Sequence, residues 1–250
     1  VRSYREIGAL LRRHRPDVVH VHNTFARISP ALYWAAHRAG VPVVQTLHNF
    51  RLLCPQALLL RDGRVCEDCV GRVPWRAVRH ACYRDSRAQS AVLAATVTAH
   101  RALGTWQRRV TRYVALNEFC RQRFIAGGLA PARVVVKPNF VAAPGPFADA
   151  PRSGGVFVGR LSAEKGVDVL ARALRAAPQV TLDVYGDGPR RAALEGLANC
   201  RLHGWAAPEV VNAALARAAF LVIPSQWYEN FPRTLVEAWA AGTPVLASRI

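Results

Sequence analysis

The stretch PSQWYENFPRTLVEAWAAGTPVLAS, Pro224 to Ser248, carries two carboxylates, Glu229 and Glu237, separated by seven residues across the start of a helix. Pro232 suits the first helical position, where its missing N–H would be unpaired in any case. Arg233, Thr234 and Leu235 would then present free backbone N–H groups at a helix N-terminus, a ready cradle for phosphate. With Glu229 just ahead of the helix and Glu237 almost two turns inside it, the carboxylates lie at most ~12 Å apart. Carboxylates hold hydroxyls and N–H groups hold phosphate. The span therefore suits a sugar at one end, a ribose at the other and a diphosphate between them. A bare Glu pair is more often one surface and one buried residue of an ordinary amphipathic helix; the signal here is the whole stretch.

A second set lies upstream. In GGVFVGRLSAEKGVDVL, a strand ends at Gly159-Arg160 and a helix starts near Lys165-Gly166. Two fixed cations at a strand's carboxyl end can neutralise a leaving diphosphate, whose charge grows as its bond breaks. Lys165 is one of two lysines, with Lys137, in a chain of 32 arginines, so composition explains it poorly. YGDGP (Tyr185 to Pro189) offers a turn at Gly186 that lets a ligand approach the backbone. In HGW, Trp205 is equally a stacking platform or a core residue. His48 closes a strand in TLHNF, and His22 with Asn23 closes another in HVHN, where they would line an acceptor side. A lone His in such a place is more often a packed structural residue.

Four cysteines run Cys54-x11-Cys66-x2-Cys69-x12-Cys82 in a loop-rich stretch that reads as having no core of its own. A CxxC with two outlying cysteines can close a structural tetrahedral zinc site, and the same residues could form two disulfides or remain thiols. Cys120 and Cys200 read as isolated core residues. Eleven arginines between Arg72 and Arg123, interleaved with Trp75 and Trp106, suit an anionic bilayer or equally a solvated helix face.

The elements that must position these residues alternate between strand-like and helix-like runs, the pattern of parallel sheets covered by helices. DVVHVH, SPALYWAAHRAG and VPVVQTLH form a βαβ unit; RYVALN, EFCRQRFIAGG and RVVVKPN follow. After a Pro- and Gly-rich stretch, the series resumes with GVFVGR, KGVDVLARALRAA, VTLDVYG, GPRRAALEGLA (as a helix), CRLHGW, PEVVNAALARA, AFLVIPS, NFPRTLVEAWAAG and TPVLAS. The expected fold is α/β with two facing, doubly wound, Rossmann-like domains and a ligand cleft at the carboxyl ends of their strands. The expected boundaries are a partial N-terminal domain over 1–140 with a Cys-rich insertion at about 50–88, a linker over 141–153 and a partial C-terminal domain over 154–250.

Length and composition agree. At 250 residues, 51% hydrophobic and 20% charged, the chain is long enough for two cores and too balanced to be disordered. The net charge of +18 lies mostly in residues 1–150, which hold 23 basic and 8 acidic residues. A one-sided basic surface favours a polyanion: nucleic acid, anionic lipid or an anionic substrate. The longest apolar run, Ala91 to Ala99, is far short of the ~20 residues of a spanning helix. Met is absent and the chain opens inside an amphipathic helix, Arg2 to His14, so the expectation is a fragment lacking both ends.

Together these motifs resemble the family 4 glycosyltransferases of the GT-B fold, from DVVHVHN to TPVLAS and most specifically over Val156 to Ser248. The departure is ENFPRTLVE, where the commoner form has Phe-Gly after the first Glu. The resemblance implies a retaining transfer of a sugar from a nucleoside diphosphate sugar to a hydroxyl acceptor, in polysaccharide, lipopolysaccharide or glycolipid biosynthesis, with no catalytic cofactor. It places Glu229 and His48 on the transferred sugar, Arg160 and Lys165 on the diphosphate, Glu237 on the ribose and Trp205 near the base. Gly159, Gly186, Asn230, Phe231, Pro232, Thr234 and Leu235 complete the donor side. The expected location is cytoplasmic, with peripheral contact at the inner face of the membrane, and no nucleic acid partner. Two other readings stand beside it: a polyanion-binding module with a vestigial cleft, and a phosphorylase or nucleotide-sugar epimerase on the same fold.

Overall fold

The computed structural model describes residues 2–25, 28–142 and 151–250. The chain divides into two compact units, residues 1–59 with 66–138, and residues 60–65 with 139–250. Most of the linker expected over 141–153 falls on 143–150, outside the described residues. Arg152, at its far end, belongs to the second unit's framework: its guanidinium donates to the carbonyls of Leu215, Ala218 and Ala241 and to Thr243 Oγ1.

The first unit opens with α1 (Arg2–His14). Its sheet holds four parallel strands in the order β1 (Val19–Val21), β2 (Val43–Leu47), β5 (Arg112–Ala115) and β6 (Val134–Val136). β-Branched residues fill these strands, as a pleated and largely buried surface favours. Helix α2 (Ala31–Arg38) links β1 to β2, and α6 (Glu118–Ala126) links β5 to β6. Asn117 caps α6 by accepting the Cys120 N–H at 2.7 Å. Val43, Leu47, Tyr113, Ala115 and Phe124 are buried between sheet and helices. Each such large apolar side chain contributes about 1.5–3 kcal/mol.

Between β2 and β5 the chain makes a two-residue hairpin, β3 (Leu60–Arg61) and β4 (Arg64–Val65), then α3 (Trp75–Arg79), α4 (Arg87–Ala102) and α5 (Thr105–Arg108). The hairpin turns on Asp62-Gly63, both with positive φ, which the tight turn between twisted strands requires. The buried residues of this insertion join the core of the first unit rather than forming one of their own. Phe50, Leu53 and Leu59 are fully buried, and the Phe50 ring stacks on Phe124 of α6 at 5.5 Å. The expected insertion, to about residue 88, also overlaps the first turn of α4, which Ser86 caps by accepting the Gln89 N–H.

The second unit's sheet is also wholly parallel, in the order β11 (Val245–Ala247), β10 (Phe220–Ile223), β7 (Gly155–Val158), β8 (Leu182–Tyr185) and β9 (Cys200–Gly204). Helices α7 (Val167–Ala176), α8 (Pro208–Arg217) and α9 (Arg233–Ala240) cover it. Successive residues of β7 face opposite layers: Phe157 packs with Leu161, Leu170 and Val184, while Val156 packs with Leu215, Leu221 and Ala238. The sheet is thus doubly wound, and its strand order reverses between β7 and β10. GPRRAALEGLA, expected as a helix, forms only a 3₁₀ turn at Arg191–Ala193. Gly188 explains part of this, since a Cβ there would stand 2.4 Å from the Leu161 carbonyl oxygen and the segment is folded tightly against that strand end.

Candidate functional site

In an open parallel sheet, ligands bind outside the carboxyl ends of the strands, where the order reverses. In the second unit that point lies between the loops leaving β7 and β10. The two loops are locked together by backbone. The Gln226 N–H donates to the Glu164 carbonyl at 2.9 Å, and a Cβ on Gly166 would lie 1.7 Å from the Pro224 carbonyl oxygen. Gly166, at φ +73, therefore has no room for any side chain, and Lys165 is held directly over the β10 loop.

The consequence is a polar cluster centred on Glu229. Its Oε1 accepts from Lys165 Nζ at 2.7 Å, Ser225 Oγ at 2.6 Å and Trp227 Nε1 at 3.1 Å. Arg160 pairs with Glu164 at 2.5 Å, and Ser162 Oγ also donates to that carboxylate at 2.7 Å. Burial pushes the Glu164 carboxyl up, but the Ser162 and Arg160 hydrogen bonds outweigh it and hold the group below the usual carboxylate range. Arg233 pairs with Glu237 one turn on, at 3.2 Å. Each of these three cations has a carboxylate partner, and all three pairs lie on the two loops or the helix that follows.

Phe231 has φ +131, strained for a non-glycine residue, and its carbonyl accepts from Asn139 Nδ2 at 2.7 Å. Its ring meets Trp239 of α9 edge-on at 6.4 Å. Asn230 is buried. Pro232 stands one place earlier than expected, as the residue before α9, with ψ 135 and no side-chain cap. Glu237 is consequently the fifth residue of the helix, little more than one turn inside rather than almost two. The Leu235 N–H donates to the Pro232 carbonyl at 3.2 Å, which leaves the N–H groups of Arg233 and Thr234 as the open part of the cradle.

Gly186, at φ +136, is required by the Gly159 backbone: a Cβ would lie 1.9 Å from the Gly159 oxygen. The turn serves strand-to-strand approach, and Gly159 N–H donates to Tyr185 O at 2.9 Å. Trp205 is 83% exposed, which removes its reading as a core residue and leaves a free indole face. Neighbouring His203 pairs with Asp183 at 2.6 Å and stacks on Tyr185 at 4.5 Å.

In the first unit, His22 and His48 meet at the carboxyl ends of β1 and β2. Their Nδ1 and Nε2 atoms are 2.7 Å apart and their rings stack, and His20, whose ring lies tilted against His22 at 4.3 Å, bonds Thr46 Oγ1 at 2.9 Å. All three are exposed, so neither His22 nor His48 is the packed structural residue that a lone His at a strand end more often is. Burial, then the charges of His22 and His20, lower the His48 pKa from its ordinary value. His22, Asn23 and His48 line a small cleft of about 80 Å³ whose wall also includes Tyr33, Gln45 and Trp106. Burial pushes the Tyr33 phenol up to about 12, so it stays an uncharged donor, bonded to Gln45 Oε1 at 3.0 Å.

Sequence reasoning missed Ser225, Trp227, Glu164, Arg233 as a paired cation, and Asn139. The first four sit in the quoted motifs, and the spacing of Arg233 and Glu237 suits an ion pair on one helix face. Asn139 had no local signal, since its partner lies 92 residues away. The four insertion cysteines are not brought into ligand geometry: among the described residues no group of three or more His, Cys, Asp or Glu could hold a metal ion as it stands. No described helix is long and apolar enough to cross a membrane.

Comparison with known proteins agrees with this layout. Residues 152–250 match the family described as Glycosyl transferases group 1, and residues 1–143 match Glycosyltransferase Family 4. The glycogen synthase of Mycobacterium tuberculosis is 30% identical over 96% of this chain and 53% of its own length. The 2-deoxystreptamine glucosyltransferase of Streptomyces kanamyceticus is 29% identical over 97% of this chain and 62% of its own. The chain thus spans about half to three-fifths of these relatives. Among solved structures, Anabaena HepE in complex with UDP aligns with TM-score 0.64 at 19% identity, over 98% of this chain and 62% of HepE. Staphylococcus aureus TarM aligns with TM-score 0.65 at 13% identity, over 96% and 43%. These likenesses establish the GT-B fold class. With more than half its length matched, the chain belongs to glycosyltransferase family 4.

Proposed function

We propose that the chain forms part of a retaining glycosyltransferase that moves a sugar from a nucleoside diphosphate sugar to a hydroxyl acceptor. The observation that carries this is the Glu229 cluster at the strand-order reversal, where Lys165, Ser225 and Trp227 converge on one carboxylate oxygen. A diphosphate entering there meets Arg160, Lys165 and the open N–H groups of Arg233 and Thr234. Its charge competes for cations now shared with Glu164, Glu229 and Glu237. Glu229 is left to accept sugar hydroxyls and Glu237 to accept those of the ribose. Trp205 offers its exposed face to the base. The remaining donor-side residues, Gly159, Gly186, Asn230, Phe231, Pro232 and Leu235, shape the backbone around these groups.

In the transfer, the acceptor oxygen bonds to the anomeric carbon as the bond from that carbon to the phosphate oxygen breaks. The acceptor proton passes to the departing phosphate, and attack from the leaving-group face retains configuration. We assign His48 to the reacting sugar, and His22 and Asn23, exposed at the same strand ends, to the acceptor. The product we propose is a polysaccharide, lipopolysaccharide or glycolipid, made on the cytoplasmic side; the name of the glycogen synthase relative supports the first of these. Exposed Val73 and Trp75 beside Arg72 and Arg79 would suit peripheral contact with an anionic leaflet there.

The polyanion-binding reading loses support from the arginines themselves. Arg76 and Arg123 pair with Asp68 and Glu67, Arg101 is spent on backbone carbonyls, and Arg121 binds Glu118 and Val134 O. The test is Glu229→Gln in the full-length enzyme, which keeps an acceptor oxygen for Ser225 and Trp227. Turnover is expected to fall by about 10²-fold or more while the far-UV spectrum is unchanged. Turnover within a few-fold of the parent would remove Glu229 from its assigned role.

A further inference from the structure

The four cysteines of the insertion are the strongest cluster of reactive side chains that the transfer chemistry leaves unused. Cys54 and Cys69 are buried, and Cys66 and Cys82 are half-buried. The backbone around each is tied to the next. Cys66 N–H donates to the Leu59 carbonyl at 2.8 Å, where the β3–β4 hairpin closes. The CxxC turn is pinned on both sides, by Glu67 to Arg123 of α6 at 2.7 Å and by Asp68 to Arg76 of α3 at 3.2 Å. The N–H of Cys82, just beyond α3, donates to the Ala77 carbonyl at 3.0 Å, and Ala77 itself hydrogen-bonds to Cys69 through its backbone. The Arg101 guanidinium joins the ends, donating to Leu52 O at 3.0 Å, ahead of Cys54, and to Arg72 O at 2.6 Å, behind Cys69. The Cys69 thiol lies within the electrostatic reach of Cys54, Cys66 and Cys82 together.

The charge around the cluster is unbalanced. Arg101 and Arg51 are half-buried beside the cluster, Arg101 on the carbonyls of Leu52 and Arg72 that flank Cys54 and Cys69, and Arg51 on the carbonyl of Pro55, next to Cys54. Among the described residues no carboxylate pairs with either. Arg51 gives one hydrogen bond to Pro55 O, lies over the Phe25 ring at 4.2 Å, and its buried Nε has no partner. Two half-buried cations without an anion are costly unless something nearby carries negative charge. Two disulfides would supply none. Four thiolates on one divalent ion would supply two negative charges, which matches the two guanidiniums in number and position.

The backbone points the same way. Of the described non-glycine residues with positive φ, Ala57, Leu59, Ala81, Arg84 and Asp85 lie in this segment outside the hairpin turn. Strain of that kind persists where the surroundings over-determine the chain, as a cross-link between remote points does.

We propose that Cys54, Cys66, Cys69 and Cys82 bind one structural zinc ion, with Arg51 and Arg101 balancing the charge of the tetrathiolate. Binding releases the four thiol protons to solvent, and the thiols, which do not stand in ligand geometry here, close on the ion by side-chain rotation. The ion fixes the insertion between β2 and α4 and takes no part in transfer.

The test is metal analysis of full-length protein purified without added metal. The expected result is about one zinc per chain, released together with four newly reactive thiols on treatment with a mercurial. Refolding with Co²⁺ should give the intense near-ultraviolet charge-transfer absorption of cobalt thiolates. Cys54→Ser and Cys69→Ser should lose the metal; because both could fail to fold, Arg101→Gln provides a milder variant, expected to weaken zinc binding about 10-fold or more while the chain stays folded. Metal-free folded protein would overturn the proposal, whether its four thiols react freely or are joined as disulfides. Every readout is metal content or thiol state, so the outcome is independent of whether the donor site is assigned correctly.

Discussion

Single side chains set two measurable properties of this protein. The first is the pairing of each donor-side cation with a carboxylate, which leaves the crevice near neutral until a diphosphate arrives. The second belongs to His48. Burial and the neighbouring His22 and His20 make the folded chain hold the His48 proton less tightly than the unfolded chain does. Between the depressed folded value and the ordinary 6.5, the unfolded state binds more protons, so stability is full above about 6.5 and declines as pH falls through the folded value. Urea midpoints measured from pH 8 to 5 should show this decline, and His48→Gln should flatten it; an identical profile in the variant would place the acid sensitivity elsewhere. At this scale most of the site was legible, because Glu229, Lys165, Arg160 and Glu237 lie in contiguous motifs. What was hidden was the pairing between motifs. Lys165 and Glu229 are 64 residues apart, and only the fold reveals that they share a hydrogen bond.

Elements succeed or fail by what they must approach. Gly166→Ala should be far more damaging than a surface substitution, since the new methyl would enter the Pro224 carbonyl and the residue sits at φ +73. A loss of more than about 2 kcal/mol is expected in chemical denaturation, with donor binding lost as the β7 and β10 loops part. A variant as stable as the parent would show that the two loops can separate freely. Asn139→Ala removes the donor to the strained Phe231 carbonyl and should cost about 1–2 kcal/mol; because it frees the loop that carries Glu229, the donor KM should rise as well. An unchanged KM would make Asn139 a purely structural residue. Strands and amphipathic helices were readable from the sequence because their apolar periods are set locally, and α1 is found at Arg2–His14 as expected. The errors lie where close backbone approach overrides propensity. GPRRAALEGLA collapses to one turn because Gly188 packs on Leu161, and Pro232 is held extended ahead of α9 rather than starting it.

For the whole molecule, the two parallel sheets and the doubly wound order of the second were legible from the alternation of strand and helix, and the structure shows both. That order places the β7 and β10 loops side by side, and the family membership follows from both halves of the chain. The burial of the insertion against α6 was not legible for a physical reason: Phe50, Leu53 and Leu59 have no regular period and pack through turns. The account rests on nucleotide recognition by the second unit, and thermal unfolding of the full-length protein with UDP, GDP, ADP and their sugars tests it directly. Binding the folded state alone at 100 times Kd stabilises it by about 2.7 kcal/mol. One nucleotide should raise the melting temperature by several degrees in the parent, with the shift lost in Arg160→Ala and Glu237→Ala. No shift with any nucleotide, or a shift that survives both substitutions, would contradict the donor site described here.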